Sequence, residues 1–153
     1  MIDATVHVNG ALHAPLARPL DTRIEAAVRA ALATGVVGRP PLLRAELSIT
    51  LVGGAKMREL NRRFHGVDAP TDVLAFDLGS PGEDDPSALL GDVYVCVPVA
   101  NAAAVDHDED LETEITRLAI HGTLHLLGHE HPSGEDRDRS EMFRLQERLI
   151  SSL

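Results

Sequence analysis

Four of the chain's eight histidines fall within eleven positions, HGTLHLLGHEH at 121–131. His121 and His125 are i and i+4, so on a helix they stand on one face with Cβ atoms about 5–6 Å apart. That separation lets two imidazoles share one metal ion at N–metal distances of about 2.0–2.1 Å. Gly128 follows three residues later, a residue suited to the left-handed turn that ends a helix, and the chain can then fold back to present His131. Structural zinc sites are normally closed by four protein ligands, usually with cysteines among them. Three histidines instead leave a coordination position open for water, the arrangement of a hydrolytic site. We therefore expect one metal ion on His121, His125 and His131. His129 stays open between a fourth ligand, a support for the ligands and plain exposure. His7, His13 and His107 sit in strand or loop contexts with no partner pattern and read as ordinary residues.

The spacing H-x-x-x-H-x-x-G-x-x-H matches the metal-binding signature of the metzincin proteases in its three histidines and its glycine. Those enzymes carry a glutamate directly after the first histidine as general base, whereas this chain has Gly122. The metal cradle is retained while the protease's base is missing.

The rest of the chain must position that cradle. Its 153 residues, 44% hydrophobic and 25% charged, suit a single soluble domain, 1–153, with a real core. The opening MIDATVHVNG has neither a basic leader nor an apolar run, and no stretch approaches the about 18 uninterrupted apolar residues of a membrane span. The single cysteine, Cys96, forms no internal disulfide and reads as a small core residue. We expect a cytoplasmic protein. A net charge of −10 argues against a protein that coats nucleic acid. Lys56, Arg58, Arg62 and Arg63 nonetheless cluster, either as a solvated helix face or as a local basic one.

Strand-like alternation appears in ATVHVN (4–9) and RAELSITLV (44–52), and shorter strands in VLAFD (73–77) and DVYVCV (92–97). Helical spacing appears over 21–35, with Asp21 or Thr22 as cap and Gly35 as stop, and after Gly53-Gly54, with Met57, Leu60 and Phe64 inward. Pro98 suits the first turn of a short helix to about Val105. Asp110 caps a helix to Leu127. Ser133 and Asp136 resemble a capping box for a last helix whose Met142, Leu145 and Leu149 face inward. The stretch 78–87 reads as a surface loop. The expected architecture is α+β, a small mixed four-stranded sheet flanked by about five helices.

Three blocks in order carry a family resemblance. HGTLHLLGHEH is similar to HGxLHLxGYDH, ELNRRFHGVDAPTDVLAF (59–76) to LNxxYRxxDxPTDVLSF, and LLGDVYVC (89–96) to LGDIxIS. These patterns belong to the YbeY family of bacterial ribosomal-RNA maturation factors, zinc-dependent single-strand endoribonucleases with a fold related to the zincin peptidases. The resemblance runs from about residue 47 to the C-terminal helix. It implies zinc on His121, His125 and His131, ribosomal RNA as substrate, and the small ribosomal subunit with its assembly proteins as partners, with neither DNA nor membrane. Three departures from the pattern matter. The usual Tyr-Asp is His129-Glu130, where Glu130 keeps a carboxylate able to orient a ligand imidazole. The serine of the LSF segment is Ala75. The arginine that the family uses for activity falls on His65.

The catalytic cation that the resemblance implies is therefore His65, or Arg63 two residues earlier, about 200° away around a helix at about 100° per residue. Lys56, Arg58 and Arg62 would hold RNA backbone without reading sequence. Asp72 and Asp92 are expected to order the site or a turn. With 3% aromatics and no tryptophan, a base-stacking platform looks poor. Two rival readings remain beside the nuclease: a zinc peptidase, which lacks its base at Gly122, and a ribosome assembly factor with weak turnover.

Overall fold

Alternation becomes strand where one side finds cover. The structure, a computed structural model, describes residues 2–10, 19–79, 87–131 and 140–153. In β1 (Asp3–Asn9) and β2 (Arg44–Val52) exposed residues alternate with inward ones. Between them α1 (Leu20–Leu32) buries Ile24, Ala27, Val28, Ala31 and Leu32. After β2 come α2 (Gly54–His65), the short β3 (Val73–Asp77) and β4 (Ala88–Cys96). The chain then continues through α3 (Val97–Asp106), α4 (Leu111–Leu126) and α5 (Glu141–Ser151).

The strands lie in the order β1-β2-β4-β3. β1 and β4 run parallel to β2, and β3 closes one edge antiparallel to β4, with Val73 opposite Val95 and Phe76 opposite Asp92. This is the α+β layout with a mixed four-stranded sheet that the sequence predicts, with five helices among the described residues.

Successive strand residues point to opposite faces, and the two faces carry different layers. Leu89, Val93 and Val95 of β4 pack into one core with α1, α4 and α5. Leu74 of β3 and Cys96 pack with Met57 and Leu60 of α2. So α4, bearing the histidines, and α2, bearing the basic residues, sit on opposite sides of the sheet. Cys96 is buried, as expected.

Some local expectations are corrected. α1 starts one residue before Asp21, at Leu20, with Pro19 as an N-cap that makes no side-chain cap bond; the Pro19 carbonyl accepts from Arg23 N at 3.3 Å, and the N–H it lacks is not one the helix uses. Phe64 is 55% exposed while Asn61 is buried instead. Its Nδ2 donates to the carbonyl of Ala69 at 2.8 Å and ties down the turn after α2. β3 is an edge strand, so Phe64 reaches past the covered sheet and meets Phe76 at a ring separation of 5.1 Å. α5 is capped by Ser140, whose hydroxyl accepts from Phe143 N at 3.1 Å. Ser133 and Asp136, the cap read from sequence, lie outside the described residues, as do His13 and most of the loop 78–87.

Candidate metal centre

Helix α4 is fixed at both ends. Its N-cap, Asp110, accepts from Thr113 N at 2.7 Å, and the Thr113 side chain and then its backbone N–H hold the Asp110 carboxyl below its ordinary pKa. At the other end Gly128 has φ +92°, a conformation open to glycine at little cost. Gly128 N donates to the carbonyl of His125, and His129 N to that of Leu124, each at 3.0 Å. These are the two bonds of a Schellman turn, and they swing residues 129–131 back over the last turn of the helix.

That reversal brings the three expected histidines together. Ring centroids are 4.7 Å apart for His121 and His125, and 5.0 Å from each of these to His131. One nitrogen from each ring lies within 4.8 Å of the others. His121 is buried at the base of the group, His131 is half-buried and His125 exposed, so the cluster opens to one side.

The hydrogen bonds behind the rings decide what the front atoms are. His121 Nδ1 lies 2.7 Å from Oε1 of Gln146, and His125 Nδ1 lies 3.0 Å from the carbonyl oxygen of His129. Both partners are acceptors, so each Nδ1 carries the proton and each Nε2 a lone pair. These two Nε2 atoms face each other at 3.1 Å. Two nitrogens on one tetrahedral ion at about 2.0–2.1 Å would be about 3.3 Å apart. A cation between them suits that spacing, whereas a shared proton would need one ring to be imidazolium. The donor set therefore fits a divalent ion such as zinc.

His129 serves this group through its backbone carbonyl, and burial holds its imidazole below its ordinary pKa. Glu130 is exposed, and the ring protons it was expected to receive go to Gln146 and the His129 carbonyl. Gly122 faces the sheet: a Cβ there would stand 2.6 Å from Cγ1 of Val93 and 3.2 Å from Cγ2 of Val73. The helix approaches β4 too closely for a glutamate at that position.

Arg63 and His65 lie apart from this group, on the α2 side. His65 stands 6.3 Å from the ring of Phe76, and the Arg63 guanidinium lies 5.4 Å from the Phe64 ring centre. Phe76 in turn meets Tyr94 edge-on at 5.9 Å, so the few aromatics gather more closely than the composition suggests. Of the basic cluster, Arg58 is committed to Asp68 by bonds of 2.7 and 2.9 Å, and Lys56 lies 3.8 Å from Glu59. Asp72 orders the entry to β3 by accepting from Val73 N at 2.7 Å. Asp92 alternates with Val93 and so points to the α2 face.

The family model described as Endoribonuclease YbeY matches residues 17–153. The chain belongs to the YbeY family. Among its relatives, Endoribonuclease YbeY of Desulfitobacterium hafniense is 44% identical over 71% of this chain and 72% of that protein. Endoribonuclease YbeY of Moorella thermoacetica is 41% identical over 81% and 80%, and that of Salinispora tropica 47% over 71% and 74%. The solution structure of TM1509 from Thermotoga maritima superposes with a TM-score of 0.58 at 26% identity, covering 96% of this chain and 87% of that one. YbeY membership agrees with the fold and with the histidine cluster.

Sequence reasoning missed Gln146. It lies on the inward stripe with Met142, Leu145 and Leu149, and a buried amide on an apolar stripe is the signal that could have found it.

Proposed function

We propose that this chain is a zinc-dependent endoribonuclease that cleaves single-stranded ribosomal RNA during ribosome maturation, with the ion on His121, His125 and His131. The observation that carries this reading is the convergence of two lone-pair Nε2 atoms at 3.1 Å beside a third imidazole. A divalent ion held there supplies Lewis acidity toward water and a phosphoryl oxygen. The protein's part is to hold His121 and His125 in fixed tautomers, to bring His131 up beside them, and to leave the His125 side open to the RNA. Arg63 and His65, at the end of α2, contact the RNA backbone in this reading. The edge strand β3 is the common border: Val73 lies against α4 and Phe76 against His65. A strand of RNA crossing that edge meets both layers. The cytoplasm, the small ribosomal subunit and its assembly proteins are the setting this activity requires, and residues 1–153 act as one unit.

Family membership and the crowding at Gly122 favour the nuclease over a peptidase. The test is metal analysis of the purified protein, followed by cleavage of single-stranded and structured rRNA fragments and of a peptide library. Zinc-dependent cleavage of the single-stranded RNA alone is expected. Undiminished cleavage by rigorously metal-free protein would sink the proposal. A folded His125→Ala variant that still supports rRNA processing on ribosomal particles would favour the assembly-factor reading.

A further inference from the structure

We propose that Gln146 and Glu147 of α5 are positioning residues for His121, setting its tautomer through a one-way hydrogen-bond relay that begins at Arg117. The proposal rests on the reading of the three histidines as a metal site.

The relay is fixed in direction by what each group can do. Arg117 has donors and no acceptor. Its Nε lies 3.2 and 3.0 Å from the two carboxylate oxygens of Glu147. Glu147 is acceptor-only when ionised, so the amide nitrogen of Gln146, 3.1 Å from Glu147 Oε2, must be the donor there. That orientation turns the other end of the amide, Oε1, toward His121 Nδ1 at 2.7 Å. An acceptor at that place keeps the proton on Nδ1 and leaves Nε2 a lone pair. With the amide reversed, its oxygen would face the Glu147 carboxylate and its NH₂ would face Nδ1. The His121 proton would then move to Nε2, the atom that faces His125.

The relay is sheltered at both of its ends, while the Glu147 side chain between them is 34% exposed. Gln146 is 4% exposed and His121 6%, and the Arg117 side chain 13%. Arg117 is held from its other side by Glu114 at 2.6 Å and by Glu109, so its guanidinium has little freedom to turn away. Arg117 and His121 are one helical turn apart on α4, while Gln146 and Glu147 are adjacent on α5. The relay therefore also ties α5 to the helix that carries two of the three histidines.

Groups that orient a ligand imidazole typically change metal affinity by roughly 10–100-fold when removed. Three measurements test the proposal. Long-range proton–nitrogen NMR on the metal-free wild-type protein should find His121 protonated at Nδ1 and bare at Nε2. Gln146→Met, which removes the acceptor from a buried position, should give a mixed tautomer and weaken zinc binding by roughly 10–100-fold in chelator competition. Gln146→Glu combined with Glu147→Gln, in which the new amide donates to the new carboxylate, restores an acceptor for Nδ1 and should recover the tautomer and most of the affinity, a rescue that a merely space-filling role would not produce. A wild-type His121 protonated at Nε2 would overturn the relay, as would a Gln146→Met protein with unchanged tautomer and unchanged zinc affinity. A wild-type protein that fails to bind zinc while keeping the Nδ1 tautomer would count against the metal reading and leave the relay standing.

Discussion

Gly122 and Val93 define how closely α4 sits on the sheet: a Cβ on the glycine would come within 2.6 Å of the valine's Cγ1. Valine is stiff about χ1, so it cannot swing aside. Overpacking of this kind costs about 1–3 kcal/mol, and the better helix propensity of alanine returns up to about 1 kcal/mol. Gly122→Ala should therefore destabilise by about 1–2 kcal/mol in urea unfolding, and adding Val93→Ala should restore part of the loss. An unchanged midpoint for Gly122→Ala would show that the helix can ride outward freely.

His125 is the exposed member of the histidine group, so its removal separates chemistry from folding. His125→Ala should lose zinc and RNA cleavage together while its thermal midpoint in the presence of chelator stays near that of chelated wild type. In wild type, zinc added back after chelation should raise the midpoint with metal concentration, as binding to the folded state alone requires.

Arg117 joins Glu109, Glu114 and Glu147, and these carboxylates raise its already high pKa further. Glu114 is 7% exposed at its side chain. Arg117→Met would strand that carboxylate, and breaking a buried pair from one side costs about 3–5 kcal/mol. A comparison of urea midpoints for variant and wild type near neutral pH would read this directly, and an unchanged midpoint would show that Glu114 finds another partner.

Asp110 has a folded pKa below its ordinary value because it accepts from Thr113. Its contribution is complete above the unfolded carboxylate pKa of about 3.9 and fades as the pH falls through the lower folded value. Asp110→Ala should cost about 1 kcal/mol near neutrality, the usual worth of an N-cap. The gap between variant and wild type should close in strong acid.

His65 ends α2 in an exposed position. His65→Arg adds a permanent cation there and should tighten binding to single-stranded RNA at neutral pH. It should also steepen the dependence of binding on salt by about 0.7 in log–log slope, with little change in thermal midpoint. A slope that does not move would remove His65 from the RNA path.

Much of the cradle was legible because its signals are local. An i, i+4 pair and a helix-ending glycine act within eleven residues, so the spacing of His121, His125 and His131 carried its geometry with it. The strands were legible for the same reason, since alternation reports which side is covered. Gln146 was not, because its partner His121 is 25 positions away in sequence and their meeting depends on how α5 docks. The exchange of Phe64 for Asn61 on the inner side of α2 was hidden too. Helical spacing marks a stripe, but where the sheet stops at β3 decides which residue of the stripe is covered. Nor could one chain reveal that Gly122 is a matter of room as well as of a missing base.

Tyr94 is the chain's single tyrosine, in a protein with no tryptophan, and it rests edge-on against Phe76 on the sheet face turned from the histidines. Its ultraviolet emission thus originates in one place, a layer away from the three histidines. Exchange of one metal for another should pass without altering that light, while melting of the α2 layer should change it. The molecule carries its own dye for the half without the histidine cluster.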